Sequence, residues 1–284
     1  MMRTDKRRPL RWVILLLFVA AVGAVWFCWQ CWGLQTTYTS LPVSGLPVGF
    51  LGCRIVHLSD LHGHEYGEGS ERLLARVREA EPELIFLTGD LIDREEQFAM
   101  VPALAKGLAA IAPTYYVTGN HEWEVGNVPT LKKVLTQCGV TVLSNEYDVV
   151  ERWGDRVIVA GVDDPYGYAD QKTPEELYEE ISTEFPNETV LLLAHRNESF
   201  DRYAEAGYDL VFSGHAHGGI IRLPFTDGLL GTNRKLFPAR TSGVHTVGES
   251  TLFVSRGLGN NTNSVGGFRL FNRPELAITE LTGK

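Results

Sequence analysis

Cysteine is scarce: the chain has four in 284 residues, too few for a disulfide scaffold. Cys28 and Cys31 form a C-x-x-C, but it lies inside an apolar run with no second pair to complete a zinc site, so it reads as membrane-embedded small residues. Cys53 and Cys138 read as core thiols, with a bridge between them as the alternative. Positive charge is short as well. Lys and Arg number 26 against 35 Asp and Glu, a formal charge of -9, which excludes bulk electrostatic binding to nucleic acid. Charged residues make up 21% and apolar residues 44%, which excludes a disordered or collagen-like chain. There is no internal repeat or low-complexity tract. One long apolar run stands at the N-terminus and no second follows, so a many-span membrane protein is excluded.

That run defines the first expectation. Residues 1–11 carry Arg3, Lys6, Arg7, Arg8 and Arg11 against Asp5 alone. From Trp12 to Trp32 the only strongly polar residue is Gln30, and roughly 20 apolar residues are enough to cross a bilayer. Trp12, Trp26, Trp29 and Trp32 bracket the run as interfacial anchors do. A cleaved signal peptide has a shorter apolar core, about 7–15 residues, and ends on small residues; this run ends in Cys-Trp-Gln-Cys-Trp. The Arg7-Arg8 pair leaves a twin-arginine export signal as a weaker alternative. The expectation is an uncleaved transmembrane anchor over 12–34, with the basic segment 1–11 cytoplasmic and the C-terminal bulk outside the cytoplasm. Residues 35–50 are Thr-rich, contain Pro42 and Pro47 and show neither helical nor strand period, so they read as a linker before one domain over 51–284.

Within that domain short apolar strands alternate with amphipathic helices. Arg54–Ser59, Leu84–Thr88, Thr114–Thr118, Val140–Leu143, Val157–Val162, Thr189–Ala194, Leu210–Ser213 and Thr251–Ser255 read as strands. Ser70–Ala80 (capped by Ser70), Phe98–Ile111, Val128–Cys138 and Thr173–Ile181 read as helices, with a helical stretch around 200–206 and a β-rich end over Phe268–Leu281. The pattern predicts an α/β domain whose mainly parallel sheet is covered on both faces.

The chemistry sits where the strands stop. Five of them run straight into Asp60-Leu61-His62, Gly89-Asp90, Gly119-Asn120-His121-Glu122, Ala194-His195 and Gly214-His215-Ala216-His217. Ligands bind beyond the carboxyl ends of strands in open α/β sheets, so the five clusters converge. Each is unremarkable alone, since an Asp after a strand often caps a helix. Together their carboxylate, amide and imidazole donors suit Mn, Fe, Zn or Ni.

This ordered set resembles the calcineurin-like metallophosphoesterase superfamily over roughly residues 54–281. Ser255-Arg-Gly-Leu-Gly259 and Phe268-Arg-Leu-Phe-Asn-Arg-Pro-Glu275 resemble its membrane-anchored bacterial phosphodiesterase branch, which is similar to UDP-diacylglucosamine hydrolases. Two departures, Ile220 where relatives commonly have Gln and Arg196-Asn197 after His195 where Pro is usual, bear on substrate rather than chemistry. The resemblance implies a four-layer αββα sandwich and two divalent metal ions. Asp60, His62 and His217 would hold one ion, Asn120, His195 and His215 the other, and Asp90 would bridge both. It also implies attack of a metal-bridging hydroxide on phosphorus, with His121 protonating the leaving oxygen.

The remaining polar residues are open. Glu122 either orients His121 or accepts backbone hydrogen bonds. Asp93 and Asn145 read as supporting or turn residues, His57 as core and His245 as uninformative. His64 and Arg256 are substrate-contact candidates, each with a plain loop reading beside it. The expected function is a membrane-anchored phosphoesterase cleaving phosphodiesters or pyrophosphates, with lipid-linked substrates favoured by the tether. The alternatives are an envelope phosphatase or phosphodiesterase acting on soluble phosphoesters and a phosphate-binding pseudoenzyme. No nucleic-acid partner is expected.

Overall fold

The computed structural model describes residues 7–223, 227–232, 234–260 and 267–284; Arg3, Asp5 and Lys6 lie outside them. The chain opens with α1 (Arg7–Trp32), and its Leu10–Trp32 stretch is long and apolar enough to cross a membrane, with none of it buried along its most apolar window. Only Gly33 and Leu34 separate α1 from β1 (Gln35–Val43).

Two six-stranded sheets follow. The first is ordered β1, β14 (Glu275–Gly283), β2 (Arg54–Leu58), β3 (Leu84–Thr88), β4 (Thr114–Val117), β5 (Thr141–Val142). The second is ordered β12 (Gly243–Val247), β13 (Ser250–Val254), β9 (Leu210–Ser213), β8 (Val190–Ala194), β7 (Asp155–Val162), β6 (Glu146–Arg152). A small ribbon, β10 (Ile221–Arg222) with β11 (Gly228–Leu230), stands apart from both. The central strands β2, β3 and β4 pair in parallel, as do β7, β8, β9 and β13. Parallel strands covered on both faces should be apolar throughout, and β3 and β8 are buried at every position.

Helices complete four layers. The helices α2 (Glu71–Glu79), α3 (Val101–Ala109) and α5 (Val128–Gln137) supply Leu73, Val77, Leu104, Leu108, Leu131 and Leu135 to the outer face of the first sheet. The helices α6 (Pro174–Glu184) and α7 (Phe200–Ala206) cover the second sheet with Leu177, Ile181, Phe200 and Tyr203. Between the sheets, Ile55, Phe86 and Val117 meet Val159, Leu193 and Phe212 in a largely apolar layer that also encloses His57. The short α4 (Asn120–Val125) follows β4. This is the αββα sandwich, and it puts the carboxyl ends of β2, β3, β4, β8 and β9 on one edge.

Four expectations are corrected. Residues 35–43 are no linker: β1 is an edge strand paired in parallel with β14 over nine residues, with Leu41 and Val43 fully buried. Its partner lies at the other end of the chain, which local sequence cannot show. Ser70 precedes α2 but has a left-handed backbone (φ 61°) where a capping residue needs an extended one, and its buried hydroxyl has no partner. The helix expected from Phe98 is a 3-10 turn over Glu95–Met100, and the α-helix starts at Val101, because Pro102 is tolerated only in a first turn. The β-rich end is a single strand from Glu275; the residues from Phe268 to Pro274 are mostly irregular.

Candidate metal centre

All five strand-end clusters meet. Ligand atoms of Asp60, His62, Asp90 and His217 lie within 4.8 Å of one another, and so do those of Asp90, His195 and His215. The two groups share Asp90. Its Oδ2 is 3.9 Å from His62 Nε2 and 3.2 Å from His195 Nε2, while His217 Nε2 is 3.3 Å from Asp60 Oδ1 and 2.9 Å from His62 Nε2. His215 Nδ1 lies 3.2 Å from His195 Nε2.

The backbone is bent to achieve this. Asp60, His62, Asp90, His215 and His217 all have positive φ, between 49° and 65°, a region that non-glycine residues rarely adopt. Such strain persists only where surrounding structure enforces it, and it concentrates at functional sites. Glycine makes the approach possible: a side chain at Gly214 would run into Ser59 Oγ and Asp60 Oδ2, and one at Gly119 into Asp90 Oδ1. Glu122 resolves to the backbone role, accepting from the amides of Asp90 (2.9 Å), Leu91 (2.6 Å) and Gly119 (2.7 Å) and so pinning the two loops together.

Asp93 takes the supporting role rather than the turn role. Its Oδ1 is 2.5 Å from His62 Nδ1 and 3.0 Å from His121 Nδ1, so one carboxylate accepts from both rings. That turns Nε2 of His62 toward the cluster, the usual device by which a metal-ligating imidazole is oriented. His195 is fixed likewise: its Nδ1 donates to the Thr88 carbonyl at 2.7 Å. Two arginines with no site role assigned from sequence also reach the ligands. Arg196, held by Asp164, places Nη1 3.1 Å from His215 Nε2. Arg269 is fully buried and bonds the carbonyls of Gly259 (2.6 Å) and Arg256 (2.7 Å), with Nη2 3.3 Å from His217 Nδ1. In sequence Arg196 stands out only as a departure after His195 and Arg269 only as part of a family-like stretch, because their partners come from distant segments.

Charge is held out of balance here. Burial pushes the Asp60 carboxyl above its ordinary range. Burial would do the same to Asp90, but the His195, His62 and His121 rings pull it well below. Burial works against a proton on His195, yet Asp90 lifts it to about 10. His121 rises to about 9 against burial because of Asp93 and Asp90. His215 and His217 are pushed far down by burial and by their cationic neighbours, so both rings are neutral.

Two observations test the fit to metal. Asn120 Oδ1 is buried with no hydrogen-bond partner, although its Nδ2 donates to Glu124 at 3.2 Å. An unsatisfied buried oxygen is costly, and a cation beside it removes that cost. The donor set, carboxylate and amide oxygens with imidazole nitrogens, suits divalent transition metals. The residues fit the group.

Other candidates separate from this centre. His57 is a core residue, buried between Phe212 and Phe253 with Nε2 2.7 Å from Thr88 Oγ1. Asn145 accepts from the Asp163 amide in a turn, and His245 faces the Ser242 carbonyl. His64 stands between Trp32 and Tyr66, outside the ligand clusters. Arg256 pairs with Glu275 at 3.1 Å and lies against Gly218. Beside His215 a cavity of about 620 Å³ opens, walled by Asn197, Glu198, Thr232, Lys235 and Arg240.

The family model of the calcineurin-like phosphoesterases matches residues 53–219. The chain belongs to that family. It is 28% identical over 257 residues to the Bacillus subtilis (strain 168) protein named uncharacterized metallophosphoesterase YkuE, covering 87% of this chain and 85% of that one. It is 31% identical over 235 residues to phosphodiesterase YaeI of Escherichia coli (strain K12), covering 80% and 82%. A Danio rerio protein named transmembrane protein with metallophosphoesterase domain is 29% identical over 222 residues, covering 73% of this chain and 50% of that one. The chain is therefore a metallophosphoesterase with a His and Asp cluster suited to metal ions.

Proposed function

We propose that this metallophosphoesterase is anchored by α1 and cleaves phosphodiester or pyrophosphate bonds of lipid-linked substrates at the bilayer surface. One observation carries the reading: the last two turns of α1 dock on the loops that hold the candidate metal ligands. Trp32 packs on His64, two residues past His62, at 5.2 Å between ring centroids. The Cys31 carbonyl accepts from Asn260, Asn260 Oδ1 accepts from Arg269, and Arg269 reaches His217. Arg273 stacks over Trp29 and donates to the Gly33 and Leu34 carbonyls. With two residues between α1 and β1 there is no slack, so the site edge is held facing the membrane that α1 enters. The basic residues of segment 1–11 favour a cytoplasmic N-terminus and a domain outside the cytoplasm.

In this reading Asp60, His62, Asp90 and His217 hold one divalent ion, and Asp90, Asn120, His195 and His215 the other. Two such ions, Mn, Zn, Fe or Ni, supply Lewis acidity and a water acidified to near-neutral pKa. The chain's own groups do the rest. Asp90, anionic and shared, offsets repulsion between two cations. His121, protonated at neutral pH and held through Nδ1 by Asp93, gives its proton to the leaving oxygen. Arg196 remains cationic beside His215 and offers a donor toward a bound phosphate.

The test uses the full chain, stripped of metal and reconstituted in phospholipid vesicles. Mn, Zn, Fe or Ni is restored, and bis-p-nitrophenyl phosphate, p-nitrophenyl phosphate and a lipid-linked pyrophosphate are compared. The reading expects metal-restored cleavage with the lipid-linked substrate turned over fastest. Cleavage confined to the soluble esters would favour the soluble-substrate alternative. No hydrolysis despite bound metal would contradict the assignment.

A further inference from the structure

The strand-end edge carries a second feature that the phosphoesterase chemistry does not use. After the last metal motif the chain makes the β10–β11 ribbon, which is stitched to the segment before β14: Ile221 bridges Leu270, the Arg222 amide donates to the Leu270 carbonyl, Ile220 and Ile221 pair with Leu230, and Leu230 pairs with Leu236. Phe271, next to Leu270, packs edge-on against Trp26 of α1 at 5.4 Å. The ribbon is thus fastened beside the point where α1 leaves the domain.

Large apolar side chains stand exposed beside its strands. Leu223 is 43% exposed, Leu236 68% and Phe237 73%, with Phe271 at 46% on the α1 side. Apolar side chains left out of water's reach only by a partner mark an interaction surface when they cluster. Charge says which partner. Between Gly219 and Ser242 the sequence carries Arg222, Arg234, Lys235 and Arg240 against Asp227, in a chain whose formal charge is -9; Arg240 pairs with Asp201, and Arg234 and Lys235 are exposed beside Leu236 and Phe237. A basic, apolar strip on an acidic protein is complementary to an anionic lipid surface, where Lys and Arg meet headgroups and Leu and Phe enter the acyl boundary. The strip is also continuous with α1 through Phe271 and Trp26.

We propose that this ribbon is a second membrane contact: Leu223, Leu236 and Phe237 dip into the same bilayer that α1 spans, while Arg234 and Lys235 hold anionic headgroups. The inference rests on α1 being the anchor and deepens that reading. It has a consequence for the site. Thr232, Lys235 and Arg240, on the same ribbon segment, wall the cavity beside His215. With the ribbon seated at headgroup depth, the mouth of that cavity lies level with lipid phosphates.

The experiment places a nitroxide spin label on the full chain in vesicles containing phosphatidylglycerol, in a background carrying Cys28→Ser and Cys138→Ser. Three variants are compared: Phe237→Cys in the ribbon, Val19→Cys inside α1, and Trp153→Cys, which is 80% exposed at the β6–β7 turn on the opposite end of the sandwich. Retained metal-dependent turnover of bis-p-nitrophenyl phosphate confirms that each is folded. The expected result is a several-fold higher ratio of oxygen to nickel-chelate collisions at 237 than at 153, approaching the ratio at 19. Adding Arg234→Glu and Lys235→Glu should return position 237 to the level of position 153. A lipid-exposed label at 19 with a water-exposed label at 237 overturns the ribbon contact and leaves the anchor standing. A water-exposed label at 19 overturns both.

Discussion

The sandwich interior and its strand-end edge bury the same residue type to opposite effect. His57 and His195 are both fully enclosed, about 1% exposed or less. In the interior, with Phe212 and Phe253 around it, burial pushes His57 down to about 3. At the edge Asp90, 3.2 Å away, overcomes the same burial and lifts His195 to about 10. The lesson is that enclosure alone makes an inert histidine. Enclosure beside Asp90, whose carboxyl is held well below its ordinary range, makes a group that holds a proton until a cation displaces it, whereas His217 beside the raised Asp60 is pushed down.

Asp90→Asn breaks that contrast most severely. It removes the shared charge, so turnover should fall by at least about 10³-fold, bound metal should drop, and His195 of the metal-free chain should titrate like His57. Kinetics, metal analysis and NMR titration of the two rings check it. Arg269→Ala strips the donor from buried carbonyls of Gly259 and Arg256 and should cost on the order of 3 kcal/mol, read as a lower midpoint in denaturant. Arg269→Lys should recover only part, since an ammonium lacks the planar fork.

Asp93→Asn is milder and more specific. It loosens His62 and His121 together, so turnover should fall about 10–100-fold with metal affinity weakened by a similar factor. The His121 value of about 9 should move down, because Asp93 is its first support against burial; the pH–rate profile shows this. The smallest effect belongs to the interior. His57 has a folded value of about 3 below its ordinary 6.5, so the unfolded chain takes up its proton first as pH falls. Stability is therefore lost on acidification below 6.5, by about 2 kcal/mol at pH 5. Comparing the stability of His57→Asn with the parent at pH 7 and pH 5 isolates that slope.

The edge was more legible in sequence than its supports. Asp60-Leu61-His62, Gly119-Asn120-His121-Glu122 and Gly214-His215-Ala216-His217 each follow a short apolar strand, and parallel pairing makes such ends converge. Asp93 could be read only as a supporting or turn residue and Arg269 only as part of a family-like stretch, because each shows its partners only by touching rings brought from elsewhere in the chain. β1 escaped for a related reason. Its Gln-Thr-Thr-Tyr-Thr-Ser stretch is half-exposed at a sheet edge and lacks a clean alternation, and the strand it pairs with begins 240 residues later. Ser70 shows the limit of reading a cap from residue type, since the backbone conformation decides whether the hydroxyl can be used.

The most direct test of the central claim is calorimetric titration of the metal-stripped full chain with Mn or Zn, run at pH 7 in two buffers of different ionisation enthalpy. Two ions bound per chain, with proton release as His195 gives up its proton to become a ligand, is the result the account predicts. Binding of a single ion, or of two with no proton released, would contradict it.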